Sequence, residues 1–278
     1  MDEQRKSPGA TDETAHAGGM PAGGDLASLQ GAEVGAGGSS GSPIEQARPR
    51  MTDTPIRPLY GTRETLDREM RTIKDEVLRM GSLVAAQITA AKEALVAHDA
   101  EAATAAIVSD GRINEAQRHI SSLITTAIAT QQPVARDLRF LLSLDHVTYE
   151  LERIGDHAAS VAKQARKLAP LPPLKSYVDL PRMGELAAEQ VRGVLMALVD
   201  LDVDRAREVA GRDDEMDHLY HGLFDEVVGL MRQDSGNVDR GTRLLFAAHY
   251  LERIGDRVTN IAEDVVFLAT GDIEDLNP

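Results

Sequence analysis

The chain has no cysteine and no tryptophan, and aromatic residues make up only 3% of its 278 positions. Without cysteine there is neither a disulfide nor a thiolate metal site, which suits a reducing cytoplasm. With so few rings, a core must be built from Leu, Ile, Val, Ala and Met, and that palette favours helices over sheets. Basic charge is also short: 30 Lys and Arg face 45 Asp and Glu, for a formal net charge of −15. Nucleic acid and anionic membrane faces would repel such a chain, whereas hydrated cations or a basic protein surface would suit it. No run approaches the roughly 20 apolar residues of a membrane span. The opening MDEQRKSPGATDETAHAGGM lacks the apolar centre of a signal peptide. These absences predict a soluble, cytoplasmic protein that meets a membrane only through partners.

Catalytic signatures are missing too. No GxxxxGK[ST], GxGxxG, GxSxG or HExxH occurs, and no acid–base constellation supports an enzyme. Glu215 and His218 have the Glu-x-x-His spacing of di-iron bundles, but such a centre needs a second copy on another helix. The other copy, Glu13 and His16, falls in a segment with no helical pattern.

That segment, residues 1–58, holds ten of the 23 Gly and six of the 12 Pro. It cannot bury enough apolar surface to offset its chain entropy and is expected to be a disordered tail. Helical periodicity then runs almost unbroken, predicting helices near 62–98, 100–130, 134–169, 180–201, 203–233 and 237–270. Pro133 marks one start, and APLPPLKSY (169–177) divides the helices into two groups of three.

The two groups are related. A shift of 103 residues lays MGSLVAAQ (80–87) on MGELAAEQ (183–190), Asp99 on Asp202 and Asp110 on Asp213. A shift of 100 lays the first LERIGD (151–156) on the second (251–256). The prediction is an all-α protein of two tandem, sequence-related three-helix bundles, spanning 59–172 and 173–278.

On the third helix of each bundle, Leu141, Leu144, Val147, Leu151 and Ile154, and likewise Leu244, Ala247, Leu251 and Ile254, form the apolar seam. Glu152 and Asp156 stand one turn apart, roughly 120–170° from the centre of that seam. Glu252 and Asp256 repeat them. Like charges so placed repel, and a hard cation between them would reverse the sign. Asn260, Glu263 and His249 extend the second stripe, where the first has Ser160, Lys163 and Tyr149, so the second set is richer in ligands. Asp213 and Asp217 on the middle helix add a DxxxD; the matching Asp110 and Asn114 make a DxxxN. Gly155 and Gly255 read as packing positions where helices approach closely. Arg153 and Arg253 are placed to pair with neighbouring carboxylates. His146 and His249 fall near the polar face, and His157, His218 and His221 read as surface residues. Two other uses of the carboxylates stay open: a two-metal phosphoesterase, or a metal-free helical scaffold.

Two longer segments carry a resemblance. QQPVARDLRFLLSLDHVTYELERIGDHAASVAK (131–163) and LLFAAHYLERIGDRVTNIAEDVVFLATGD (244–272) resemble the signature segments of the PhoU family of phosphate-specific transport accessory proteins. The likeness runs from about residue 62 to 272. It implies a cytoplasmic homodimer that restrains phosphate uptake, linking the transporter's ATPase subunit to a sensor histidine kinase and repressing the starvation response when phosphate is plentiful. It also implies multinuclear metal clusters, of iron or else of Zn, Mn or Mg, on Glu152 and Asp156 and on Glu252 and Asp256. Asp110, Asp213, Asp217 and Asn260 would be accessory ligands. The chain departs from the family pattern at Asn114, often a carboxylate, and at Ser160, commonly Asn; both departures weaken the first cluster.

Overall fold

In the computed structural model, residues 63–276 are described, and the expected tail lies outside them. Helices occupy α1 (Arg63–Ala97), α2 (Ala100–Gln131), α3 (Arg136–Leu168), α4 (Asp179–Asp200), α5 (Val203–Ala210), α6 (Asp213–Gln233) and α7 (Val238–Thr270). A 3-10 turn, Ser235–Asn237, leads into α7, and there is no strand among the described residues. The first bundle is α1–α3 and the second α4–α7.

Sequence chemistry explains the corners. His98 and Leu201 take left-handed backbone at matching positions, each directly before an aspartate. Asp99 then accepts from the amides of Glu101 and Ala102 at 2.8 and 2.9 Å, and Asp202 from that of Arg205 at 3.0 Å. Each cap satisfies amide donors that a helix start leaves unpaired. The unfavourable φ of two side-chain-bearing residues has thus been kept in both copies.

Two expectations need correcting. The single helix predicted over 203–233 is broken at Gly211 and Arg212. Gly211 stands where the first bundle has Val108, and glycine costs about 1 kcal/mol inside a helix. Asp213, Asp214 and Glu215 then open α6, where the helix dipole favours acidic side chains. Nor does Pro133 open α3: it lies in the loop, between Gln132 and Ala135, both with positive φ.

The bundles pack on each other through two crossings, α1 on α4 and α3 on α7. The repeated Met-Gly explains the first. A methyl group at Gly81 would collide with Leu195, and one at Gly184 would stand 2.8 Å from Lys92 Cγ. Those four residues are exchanged by the 103-residue shift, so the crossing has pseudo-twofold symmetry. Along the second crossing, α3 and α7 run antiparallel: His146 meets Asp264, Glu150 meets Asn260, and His157 stacks on Tyr250. Leu144, Leu151, Ile154, Leu244, Leu251 and Ile254 are fully buried between these elements, as the periodicity required.

Candidate functional site

The four LERIGD carboxylates do not stand on an open face. Side-chain exposure is 23% for Glu152, 43% for Asp156, 21% for Glu252 and 29% for Asp256. Each pair lies in the crevice between the third helix and the middle helix of its bundle, which the wheel angle alone could not show. The carboxylates of the middle helix face it there.

In the second bundle Asp213, Asp217, Glu252 and Asp256 come together. Burial first, then the charges of Asp256, Asp217 and Glu252, pushes the Asp213 carboxyl up to about 6. Burial and Asp256 push Glu252 to about 7, with Asp217 adding to the rise and Arg253 opposing it. Glycine 255 makes this closeness possible. A methyl group there would collide with an Asp213 carboxylate oxygen, so this glycine admits a charged group and not only a packed helix. One Glu252 oxygen is buried without a hydrogen bond, 3.3 Å from His249 Nδ1.

The first bundle brings Asp110, Glu152 and Asp156 together in the same way, with less charge. Burial, then Asp156, raises Glu152; burial, then Asp110, raises Asp156. Here the added methyl at Gly155 would meet Ile113 at 3.1 Å and Gln87 Oε1 at 3.3 Å, which is the packing role expected. Asn114 donates to Asp110 at 3.0 Å, so an amide stands where the second bundle has a fourth acid. Arg153 lies 3.6 Å from both Glu152 and Asp156, and Arg253 is 2.6 Å from Asp256, as their positions suggested.

Asn260 stands at the edge of the second group. Its amide donates to Glu150 across the bundle crossing at 3.2 Å. With Asp256 and Glu263 it also lines a hollow that Glu274 and Asp275 border. Among the described residues, no set of three or more His, Cys, Asp or Glu is already arranged as a metal site.

Two features escaped the sequence reading. Gln87, the last residue of the repeated MG-x-L-x-x-x-Q, donates to Asp110 at 3.3 Å and to the Ala106 carbonyl at 3.2 Å. Its twin Gln190 is fully buried, with neither amide atom hydrogen-bonded among the described residues. The repeat itself carried this signal: a glutamine kept on a buried face needs a polar reason. The other is the polar seam of His146, Glu150, Arg257, Asn260 and Asp264. His157 belongs to the same crossing and is half-buried, not a surface residue; burial and then Arg257 lower it to about 4.

A duplicated helical bundle carrying a carboxylate crevice in each copy defines the class of protein. The model of the PhoU domain matches the chain twice, over residues 77–165 and 180–265. The chain belongs to the PhoU family. It is 37% identical over 217 residues to a Clostridium acetobutylicum protein named phosphate-specific transport system accessory protein PhoU homolog, covering 78% of this chain and 99% of that protein. A Streptococcus pneumoniae protein of the same name is 33% identical over 215 residues, covering 77% and 100%. Among solved structures, that of PhoU from Pseudomonas aeruginosa aligns with a TM-score of 0.72 at 33% identity, covering 74% of this chain and all of that one. The phosphate transport system regulatory protein PhoU from Streptococcus pneumoniae aligns at 0.69 and 31%, covering 76% and 99%. These names are those of accessory and regulatory proteins. Among the described residues, no helix is long and apolar enough to cross a membrane.

Proposed function

We propose that this protein is a non-enzymatic regulator of phosphate uptake, a cytoplasmic, homodimeric adaptor that bears metal ions. It would join the ATPase subunit of a phosphate transporter to a sensor histidine kinase and restrain both when phosphate is plentiful. The duplicated carboxylate crevice, on a chain that matches a transport accessory protein over 99% of that protein's length, carries this reading.

The residues fit a hard cation. Every donor is an oxygen, which suits Fe, Mn, Mg or Ca and admits Zn. Burial and then like charges raise Asp213 and Glu252, a cost that a cation would offset. Asp213, Asp217, Glu252 and Asp256 would hold the stronger site, and Asp110, Glu152 and Asp156 the weaker. A bound metal would supply positive charge between α6 and α7, and between α2 and α3. Arg253 and Arg153 would orient the outer oxygens of Asp256 and Asp156, and Gly255 leaves room for Asp213.

Affinity capture of the tagged full chain from cells grown at high and at low phosphate tests the adaptor role. Recovery of both the transporter ATPase and the kinase at high phosphate is expected, and recovery of neither would contradict it.

A further inference from the structure

The chain owns five Tyr and four Phe, and four of these nine gather at one place. Tyr220 on α6 lies 6.2 Å from Phe224 and 6.3 Å from the His249 ring of α7, and Phe246 stacks on Tyr250 at 6.4 Å. Tyr220, Phe224, Phe246 and His249 line, with Thr242 and Leu245, an open hollow of about 360 Å³. Phe224 and Phe246 are left 41% and 48% exposed. Exposed aromatic anchors around a hollow are the usual mark of an interaction surface.

The duplication supplies an internal control. Tyr220 and Phe224 correspond to Gln117 and Ser121, and Leu245 and Phe246 to Asp145 and His146. In the first bundle Gln117 donates to Ser121 at 3.4 Å, Ser121 donates to Asp145 at 2.8 Å, and His146 Nδ1 lies 2.7 Å from Asp264. Those positions are polar and hydrogen-bonded. Leu142 and Tyr149, at the places of Thr242 and His249, are the exposed apolar side chains there, and Arg153 covers the Tyr149 ring. The same fold therefore forms without rings at the places of Tyr220, Phe224 and Phe246, and their presence in the second bundle is not a demand of the core.

Charge identifies the occupant. Asp213, Asp217, Tyr220 and Phe224 follow one another along α6 at helical spacing, and Asp256, Glu252, His249 and Phe246 do the same along α7. The two helices run antiparallel, with Gly255 beside Asp213 and His249 beside Tyr220. The groove between them is thus acidic at one end and aromatic at the other. Asp225 stands exposed next to Phe224, while Arg243, the nearby cation, is held by Asp239 at 2.8 and 3.1 Å. Arg253, 2.6 Å from Asp256, offsets one of the four carboxylate charges at the acidic end, and a single divalent ion would still leave that end negative. We propose that this groove docks a basic amphipathic helix of a partner protein, with Leu or Phe in the hollow and Lys or Arg toward the acids. Asp217 and Phe224 are two turns apart, about 10 Å, so the partner's basic and apolar residues would sit at that spacing. The inference goes beyond the cation-binding reading and stands without it.

The test is fluorescence anisotropy of the full chain with a fluorescein-labelled amphipathic helix of Leu and Lys, and with the same helix carrying Glu for Lys. The Lys helix should bind and the Glu helix should bind at least about ten-fold more weakly. Phe224→Ser and Phe246→Ser should each weaken the Lys helix by about ten-fold or more. Leu142→Ser, at the place matching Thr242, should change nothing. Should Ser loosen α7 in a melting curve, Phe246→Lys, which keeps a long stem and adds a repelling charge, should give the same loss. Equal binding of the two helices, or unchanged affinity in both Phe variants, overturns the proposal. So does self-association that Phe246→Ser abolishes, because the occupant would then be a second copy of the chain.

Discussion

The two bundles share a core and differ in what lies between the middle and third helices. In the first, Asn114 gives an amide proton to Asp110, Gly155 makes room for Ile113, and the neighbouring surface is closed by hydrogen bonds. In the second, Asp217 replaces that amide, Gly255 makes room for Asp213, and aromatic rings replace the polar cover. Duplication has preserved the seam, the Asp99 and Asp202 caps and the Met-Gly crossing, and has concentrated charge and exposed rings in the second copy. The crossing of α3 on α7 shows the same divergence. One end is ionic, with Glu150 3.4 Å from Arg257, and at its twin position His157 stacks on Tyr250 instead.

Alanine at the two matched glycines should widen this contrast most. Gly255→Ala must displace a buried aspartate and is expected to destabilise the protein by about 1–3 kcal/mol. In Gly155→Ala, a gain of about 0.5–1 kcal/mol in helix propensity offsets the squeeze on Ile113, leaving little net change. Urea denaturation of both variants measures the difference, and equal losses would erase it.

A second effect is expected from pH. Glu252 at about 7 and Asp213 at about 6 lie above their ordinary values of 4.5 and 3.8. The folded state therefore holds protons that the unfolded chain has released, and stability falls as pH rises from about 4 through 7. Metal-free protein should melt several degrees lower at pH 8 than at pH 5. Glu252→Gln should flatten that slope more than Glu152→Gln does. A slope untouched by Glu252→Gln would mean that the two crevices are electrostatically alike.

Much of this was legible in the chain itself. The seam residues, the two related bundles and the pairing of Arg153 and Arg253 followed from period and repeat, because burial on a helix is a matter of angle. What a single helix cannot reveal is which neighbour covers it. That is why the carboxylates read as outward when they lie half-covered in a crevice, and why Gly255 read as simple packing. Gln87 and Gln190 were visible as a repeat without a role until α2 placed Asp110 beside Gln87. The break at Gly211 had a local signal, Gly-Arg followed by three acids, hidden within a strong periodic pattern. The aromatic hollow joins residues of α6 and α7 that no sequence spacing connects.

Calorimetric titration of the metal-free chain with Mn²⁺ bears most directly on the claim that the second crevice is the stronger cation site. Wild-type protein should show a tight phase that Glu252→Gln weakens by about ten-fold or more, while Glu152→Gln leaves that phase in place. Identical losses in the two variants, or no binding by the wild-type chain, would contradict the account.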